Sequence, residues 1–499
     1  MTDLVRIELK PLGKTLEVKR GTPLQDVLFV YGVEFPCGGR GRCRGCRVKV
    51  LEGDLEATSE QHAILTPQEI REGWRLACRS RATGNLTLEI AQWETAILAD
   101  QTAFEFTPRE GLGIAVDLGT TTLVAQLLDL RTGHVLGVRT ALNPQVAYGS
   151  DVMSRVERGL TAEGLAGLRD AIRRGIGVLA AKLLAGARSE QGPLRQIVVV
   201  GNTVMHHLFC GIDPEPLAHY PFEPVRDGLE VFPASALGWR LPADPPVEFL
   251  PCLGGFVGSD ILAGILATKM HESEALVGLI DLGTNGEIVF GNRERMICAS
   301  TAAGPAFEGG RISAGMRAAT GAITEVSIVD GALECHVLGH VAPRGICGSG
   351  LVDAVAAGLD LGVIRNTGRL ANGAKEFPLM DPVALTQADI RELQLAKAAI
   401  AAGIRIVLKK WGAKPDEVRT VYLAGAFGNY VNRASARRIG LIDFPDERLH
   451  PAGNTALLGA KMALFGGDDF ASIRRRTEHI SLAADPEFQD TYVGEMLFP

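Results

Sequence analysis

The sequence predicts two architectures in one chain: an α+β module at the N-terminus, then a duplicated α/β domain. Three observations lead there. At 499 residues the chain is too long for one ordinary core. Its first ninety or so positions hold short alternating strands around a cysteine-rich loop. The string Asp-Leu-Gly-Thr then occurs twice, at 117–120 and at 281–284, each time after an apolar strand.

Composition narrows the function classes. With 46% apolar and 22% charged residues the chain reads as an ordinary globular protein. A net charge of −7 over this length argues against a general nucleic-acid binder. The start, "MTDLVRIELK", has neither a basic opening nor a long apolar run, so no signal peptide is expected. No uncharged apolar stretch reaches the roughly 18 residues that a membrane span needs. The expected compartment is the cytoplasm, where nine cysteines point to metal binding more than to a disulfide framework.

In the first module, "LVRIELK" and "KTLEVK" alternate apolar and polar residues and read as two strands. "TPLQDVLFVYG" reads as a helix, with Thr22 as cap, Pro23 at the first helical position, Gln25 completing a capping box and Gly32 ending it. The loop "PCGGRGRCRGC" follows and leads into a strand, "RVKVLEG". A second short helix is expected at "SEQHAIL", then strands at "WRLACRSRA" and "NLTLEI". This order resembles the β-grasp fold of ferredoxins. Cys37, Cys43 and Cys46 lie in the loop and Cys78 in the strand after it. Four thiolates suit a [2Fe–2S] cluster, and they also suit zinc. Zinc ribbons usually carry two C-x2-C knuckles, whereas this chain has one; its first spacing of five residues is similar to that of the ferredoxins serving hydroxylases. Arg40, Arg42, Arg44 and Arg47 interleave with the thiols, either to favour a reduced cluster and dock an acidic partner or as solvated surface charges.

Pattern lapses over residues 92–111, which read as a linker between a module at 1–91 and a domain at 112–499. Beyond it, "GIAVDLGTTTLVAQLLDL" and "VGLIDLGTNGEIVFGN" each read as strand, tight turn and strand. Such hairpins cradle phosphate: Gly119, Thr120, Thr121 and Thr122 in the first, with Gly283, Thr284 and Asn285 in the second, offer backbone N–H groups and polar side chains. Asp117 and Asp281, at the strand ends, can hold Mg²⁺ directly or through water. The duplication divides the domain into halves of about 112–275 and 276–465, followed by a C-terminal tail. Each half also ends on a buried strand followed by small residues, "QIVVVGNTVMHH" and "VRTVYLAGAFGNYV". In the second, Gly425, Ala426, Gly428 and Asn429 present a flat surface suited to adenosine. "GICGSGLVDAVAAGLDLG" is an apolar helix suited to packing between the halves. His206 and His207 read as structural, and Cys210, Cys252, Cys298, Cys335 and Cys347 as small core residues. Asp260 and Glu308 are either carboxylates lining the cleft or solvated loop charges.

The order of phosphate hairpins, connecting helix and adenosine turn resembles the superfamily of acetate and sugar kinases, heat-shock chaperones and actin, over roughly residues 112–465. That resemblance implies a duplicated actin-like (ribonuclease H-like) ATPase domain that binds ATP and Mg²⁺. The whole chain is similar to the reductive activators of corrinoid-dependent methyltransferases, whose strings match "NPQVAYGSDVMSR", "LGGFVGSDILAG", "STAAGPAFEGGRI" and "GICGSGLVDA". The resemblance implies an activator that uses ATP to deliver a low-potential electron from its [2Fe–2S] cluster to a partner corrinoid protein, returning inactive Co(II) to Co(I). It further implies a reductase that refills the cluster, and a homodimer, although the short linker here leaves out the extra dimerising region that members can carry. The cobalamin string D-x-H-x-x-G does not occur, so the cobalt is expected on the partner. A small-molecule kinase with a redox-sensing cluster and a nucleotide-gated redox-sensing module are the alternatives.

Overall fold

The computed structural model describes all residues except 1–2, 11–13, 29–32, 34–45, 91–103, 150, 187–191, 284, 319–320, 339–341 and 467–469. Outside the described residues lie Cys37, Cys43, Arg40, Arg42, Arg44, Thr284, the predicted helix end at Gly32 and most of the predicted linker.

The N-terminal module is a five-stranded sheet: β1 (Leu4–Lys10), β2 (Lys14–Lys19), β3 (Arg47–Glu52), β4 (Trp74–Leu76) and β5 (Leu86–Ile90), in the order β2-β1-β5-β3-β4. The alternation in β1 buries Val5, Ile7 and Leu9 and leaves its other residues partly or fully exposed. Strand β5 is the central strand, parallel to β1 and antiparallel to β3, and is buried along its whole length. Of the predicted first helix the described part spans Leu24–Leu28. One expectation changes. Cys78 leaves the strand and lies in a 3-10 turn, Ala77–Arg79: the Ala77 N–H makes a last ladder bond to the Cys46 carbonyl at 2.9 Å, and the Ser80 N–H then closes the turn on the Ala77 carbonyl at 3.3 Å. This module's core adjoins Ala318, Ala322, Leu338 and Cys347 of the larger domain.

Two six-stranded sheets form that domain. The first contains β6 (Leu112–Leu118), β7 (Thr122–Asp129), β8 (Val135–Leu142), β9 (Leu194–Gly201), β10 (Glu230–Pro233) and β11 (Pro246–Phe249), ordered β10-β11-β9-β6-β7-β8. The second half begins with β12 (Val277–Leu282), β13 (Gly286–Gly291) and β14 (Met296–Thr301). Two small sheets are inserted, one of β15 (Ala322–Val329), β16 (Ala332–Val337) and β17 (Gly345–Ile346), the other of β18 (Glu376–Met380) and β19 (Val383–Thr386). The large sheet resumes with β20 (Thr420–Ala424), β21 (Leu449–Gly453) and β22 (Thr477–His479), giving β21-β20-β12-β13-β14-β22. Both large sheets share one plan: an antiparallel three-strand meander, with two further strands added in parallel on the side of its first strand. The recurrence of Asp-Leu-Gly-Thr is therefore a recurrence of topology.

The halves are joined by helices other than the expected one. Helix Gly348–Asp360, buried over nearly all its length, stays within the second half, where Gly350 lies against Ile323 of β15. The crossing pair is Ser259–Ala267 and Thr455–Ala463. They approach so closely that a Cβ on Gly459 would stand 2.1 Å from the Ala263 carbonyl oxygen. Thr455–Ala463 lies on the first sheet although its sequence belongs to the second half, since Ala456, Leu457 and Ala460 share a core with Ala115 and Val198. The C-terminal segment completes the second half: the Met496 and Leu497 carbonyls accept from Gln394 (2.6 Å) and Lys397 (2.7 Å). No helix among the described residues is long and apolar enough to cross a membrane.

Candidate functional site

Cys46, buried at the start of β3, and Cys78 bring their sulfurs to 3.3 Å. Two thiolates on one tetrahedral metal stand roughly 3.8 Å apart at metal–sulfur bonds of about 2.3 Å, so this pair fits as two ligands of one metal ion with only a small spread. Arg47, next to Cys46, bonds Glu69 at 3.0 Å and lies over the Trp74 ring. In the larger domain Cys252, Cys298 and Cys347 are buried, and Cys210 and Cys335 are half-buried. Burial pushes the Cys210, Cys252, Cys298 and Cys335 thiols upward, keeping them protonated and unreactive.

The predicted nucleotide residues converge between the two large sheets. Asp117 is the penultimate residue of β6, in register with Val200 of β9; Asp281 takes the same place in β12, in register with Ala424 of β20. Parallel pairing thus sets each aspartate beside the strand end where a turn of small residues begins. Each hairpin is closed by the N–H of the glycine after its strand, with the second turn one residue shorter: Gly119 N–H bonds to the Thr122 carbonyl at 3.1 Å, and Gly283 N–H to the Asn285 carbonyl at 3.0 Å. Gly119 is required sterically, since a Cβ there would meet the Thr122 oxygen at 2.7 Å.

The carboxylates feel one another. Burial raises Asp117 to about 6, with the Asn454 amide donating to it at 2.8 Å in the opposite sense. Asp281 rises to about 7, through burial and then the charge of Asp117. Asp260, at the first turn of the joining helix Ser259–Ala267, rises to about 8, through burial and then Asp281. Glu287 on β13 is raised well above the ordinary value by burial, Asp260 and Asp281. The three aspartates keep partial exposure, and such a set is stabilised by a cation. Among the described residues no three acidic, histidine or cysteine side chains are close enough to ligate one metal together.

At the end of β20, Gly425 adopts φ +79° and opens a short helix, Gly425–Tyr430, so the predicted small residues lie on a helical turn. Phe427 stacks on Phe307 at 4.5 Å, which anchors that turn to the second half's core. The structure adds residues that sequence reasoning overlooked. Asn202 donates to Thr120 Oγ1 at 3.0 Å, and Asn143 and Arg155 bond the Gly119 and Thr120 carbonyls at 2.9 and 2.7 Å. One signal was available: Gly-Asn-Thr occurs at 201–203 and again at 453–455, and both asparagines cap helices while reaching the first hairpin. Asp260 belongs with the cleft carboxylates, whereas Glu308 sits in a 3-10 turn, Pro305–Glu308. His206 and His207 are core residues, bonded to the Gly228 and Thr203 carbonyls; burial lowers both, His206 to about 4. A cavity of about 280 Å³ separates the halves, walled by Met153, Phe222 and Phe256 on one side and Thr301, Leu482 and Phe488 on the other.

Comparison with known proteins places these parts together. Residues 7–83 match the 2Fe-2S iron-sulfur cluster binding domain, 112–273 the RACo middle region, and 275–499 the C-terminal domain of RACo, the ASKHA domain. The corrinoid activation enzyme RamQ of Eubacterium limosum is 36% identical over 420 residues, covering 77% of this chain and 70% of that protein. The [Co(II) methylated amine-specific corrinoid protein] reductase of Methanosarcina barkeri is 27% identical over 422 residues, 77% of each chain. The solved structure of a reductive activator for corrinoid, iron-sulfur protein superposes with a TM-score of 0.68 at 28% identity, over 99% of this chain and 98% of that one.

Proposed function

We propose a function from a plain premise: the chain belongs to the RACo family. It is an ATP-dependent reductive activator that passes one electron to the cobalt of a partner corrinoid protein, so that Co(II) becomes Co(I) as the cluster is oxidised by one electron. We assign residues 1–91 to the electron-carrying module, 92–111 to a linker and 112–499 to the ATPase. Cys37, Cys43, Cys46 and Cys78 hold the [2Fe–2S] cluster, which when bound supplies the one-electron donor. The observation that carries this reading is the presence, in one chain, of a thiolate pair at 3.3 Å and a cleft where Asp117, Asp260 and Asp281 lie near enough for their charges to act on one another.

The ATPase residues divide the work. Gly119 to Thr122 and Gly283 to Asn285 would grip the phosphates from two sides, and Asp117 and Asp281 would hold Mg²⁺ through water; with that cation bound Asp260 would be ionised, placed to take the proton of a water that attacks the γ-phosphate as ADP leaves. Gly425, Ala426, Gly428 and Asn429 carry the adenosine. Closure of the halves over nucleotide would then bias the partner's cobalt. A coupling of about 1–3 kcal/mol is typical between sites. It moves a one-electron potential by roughly 40–130 mV, enough to offset a moderately uphill transfer. A reductase refills the cluster in the reducing cytoplasm, and the family resemblance supports a homodimer. A sugar-kinase reading fits less well, because a polyol needs a polar partner for each hydroxyl and the cleft cavity is walled chiefly by apolar side chains.

The test mixes the cluster-loaded protein with a Co(II) corrinoid protein, Mg-ATP and a reductant, and follows the cobalt absorption. The expected result is conversion to Co(I) that requires all components. A cobalt spectrum unchanged in the presence of every component would overturn the reading.

A further inference from the structure

Arg155 is the largest fully buried side chain among the described residues, and it lies against the first phosphate hairpin. Its Nε donates to the Gly149 carbonyl at 2.9 Å and its Nη1 to the Thr120 carbonyl at 2.7 Å, with the Met205 sulfur at 3.9 Å. Its Nη2 is buried and has no hydrogen-bond partner among the described residues. Burial lowers the guanidinium only to about 10, so it remains a cation at neutral pH. The nearest acid acting on it, Asp151, is occupied in capping its own helix. A buried cation without a bonded carboxylate is costly in a folded chain and calls for a function.

Its effect on the hairpin follows from peptide geometry. In a trans peptide the C=O of one residue and the N–H of the next point in opposite directions. The carbonyls of Gly119, Thr120 and Thr121 are each taken by a donor: Asn143 Nδ2 at 2.9 Å, Arg155 Nη1 at 2.7 Å and the Asn143 N–H at 2.8 Å. The N–H groups of Thr120, Thr121 and Thr122 therefore point away from the buried Arg155–Asn143 pair, to the open side of the turn. Three successive amides facing one way form an anion cradle.

We propose that Arg155 is a positioning residue for the nucleotide's phosphates: through the Thr120 carbonyl it fixes the orientation of the hairpin's amides, and its buried charge is balanced when the phosphates bind. The proposal rests on the nucleotide reading of this cleft and adds to it the residue that makes the first hairpin selective for phosphate. Arg155 acts through the Thr120 carbonyl of the turn, so its loss should act on the phosphate-dependent part of affinity alone.

The test compares Mg-ATP with adenosine by calorimetry on the full chain, for wild type, Arg155→Met and Arg155→Lys, with thermal unfolding and cluster absorption as controls of folding. Arg155→Met should weaken Mg-ATP binding by about tenfold or more and leave adenosine within about twofold, as loss of a charge-assisted hydrogen bond requires. Arg155→Lys keeps the cation and one bond, so most of the Mg-ATP affinity should return, to within about threefold of wild type. Equal losses for both ligands, or Mg-ATP binding like wild type in a folded Arg155→Met chain, would overturn the proposal. Should the Met chain not fold, a Lys chain that loses both ligands together decides against it in the same way. A wild-type chain that binds no Mg-ATP is a different result, and counts against the nucleotide site itself.

Discussion

A Cβ placed on Gly425 would stand 2.6 Å from Oδ1 of Asp281, so the glycine opening the second half's small-residue turn and the aspartate of the second hairpin share one space. Gly425 also adopts φ +79°, a conformation unfavourable for any residue with a side chain by about 1–2 kcal/mol. Gly425→Ala is therefore expected to lower stability by about 1–3 kcal/mol and to displace Asp281. Mg-ATP affinity should fall, while the cluster absorption stays as in wild type. Thermal unfolding and calorimetry on one preparation check both parts, and unchanged Mg-ATP affinity would count against the role given to this contact.

The thiols make a sharper contrast. Loaded protein should contain about two irons and two acid-labile sulfides per chain. Cys46→Ser and Cys78→Ser should each abolish or distort the cluster spectrum, because these sulfurs already stand 3.3 Å apart. Cys210→Ala should leave it intact, since that thiol is held protonated by burial. Stoichiometric zinc without sulfide would instead favour a structural metal site.

The aspartates predict a pH dependence with a definite sign. Asp281 has an ordinary pKa of 3.8 and is raised to about 7 in the folded chain, and Asp260 to about 8. Between those limits the folded state binds more protons than the unfolded one, so stability falls as pH rises. In Mg²⁺-free buffer the melting temperature should drop between about pH 5 and about pH 8, and Asp281→Asn should remove part of that drop. Screening by water in the cleft holds the Asp281 share to the order of 2 kcal/mol. Saturating Mg-ATP should flatten the profile, because a bound cation stabilises the ionised form. A profile identical in wild type and Asp281→Asn would show that the carboxylate is not strained.

What the sequence made legible, and what it hid, divides by contact distance along the chain. The alternation of β1, the thiol spacing and the doubled Asp-Leu-Gly-Thr are local patterns, and they led to both folds and to Asp117 and Asp281. The cage around the first hairpin is made of contacts between residues far apart in the chain, with Asn202 on Thr120 and Asn454 on Asp117. No local period encodes such contacts. The joining helices were missed for a related reason. Gly348–Asp360 is more apolar all round than an inter-half helix needs, and it is buried because β15 and the rest of the second half's core enclose it. In Ser259–Ala267 and Thr455–Ala463 the deciding feature is a pair of glycines, Gly264 and Gly459, whose use is visible only when the two helices are laid against each other.

The final prediction separates electron carriage from nucleotide work within the intact chain. Asp281→Ala removes a carboxylate of the cleft and touches no sulfur, so its cluster should load and accept an electron from a chemical reductant as wild type does. Its Mg-ATP binding or hydrolysis should be impaired, and with it the return of a Co(II) corrinoid partner to Co(I). Cys46→Ser should show the converse: Mg-ATP binding close to wild type, and no electron reaching cobalt. Each variant keeps one half of the chemistry, and neither should activate the partner. A kinase would phosphorylate a small molecule with Cys46→Ser in place, and a sensor would bind its partner without changing the cobalt's oxidation state. If Asp281→Ala reduces the partner's cobalt as fast as wild type, with or without ATP, then the cleft does not gate the electron, and the coupling assigned to the two halves is wrong.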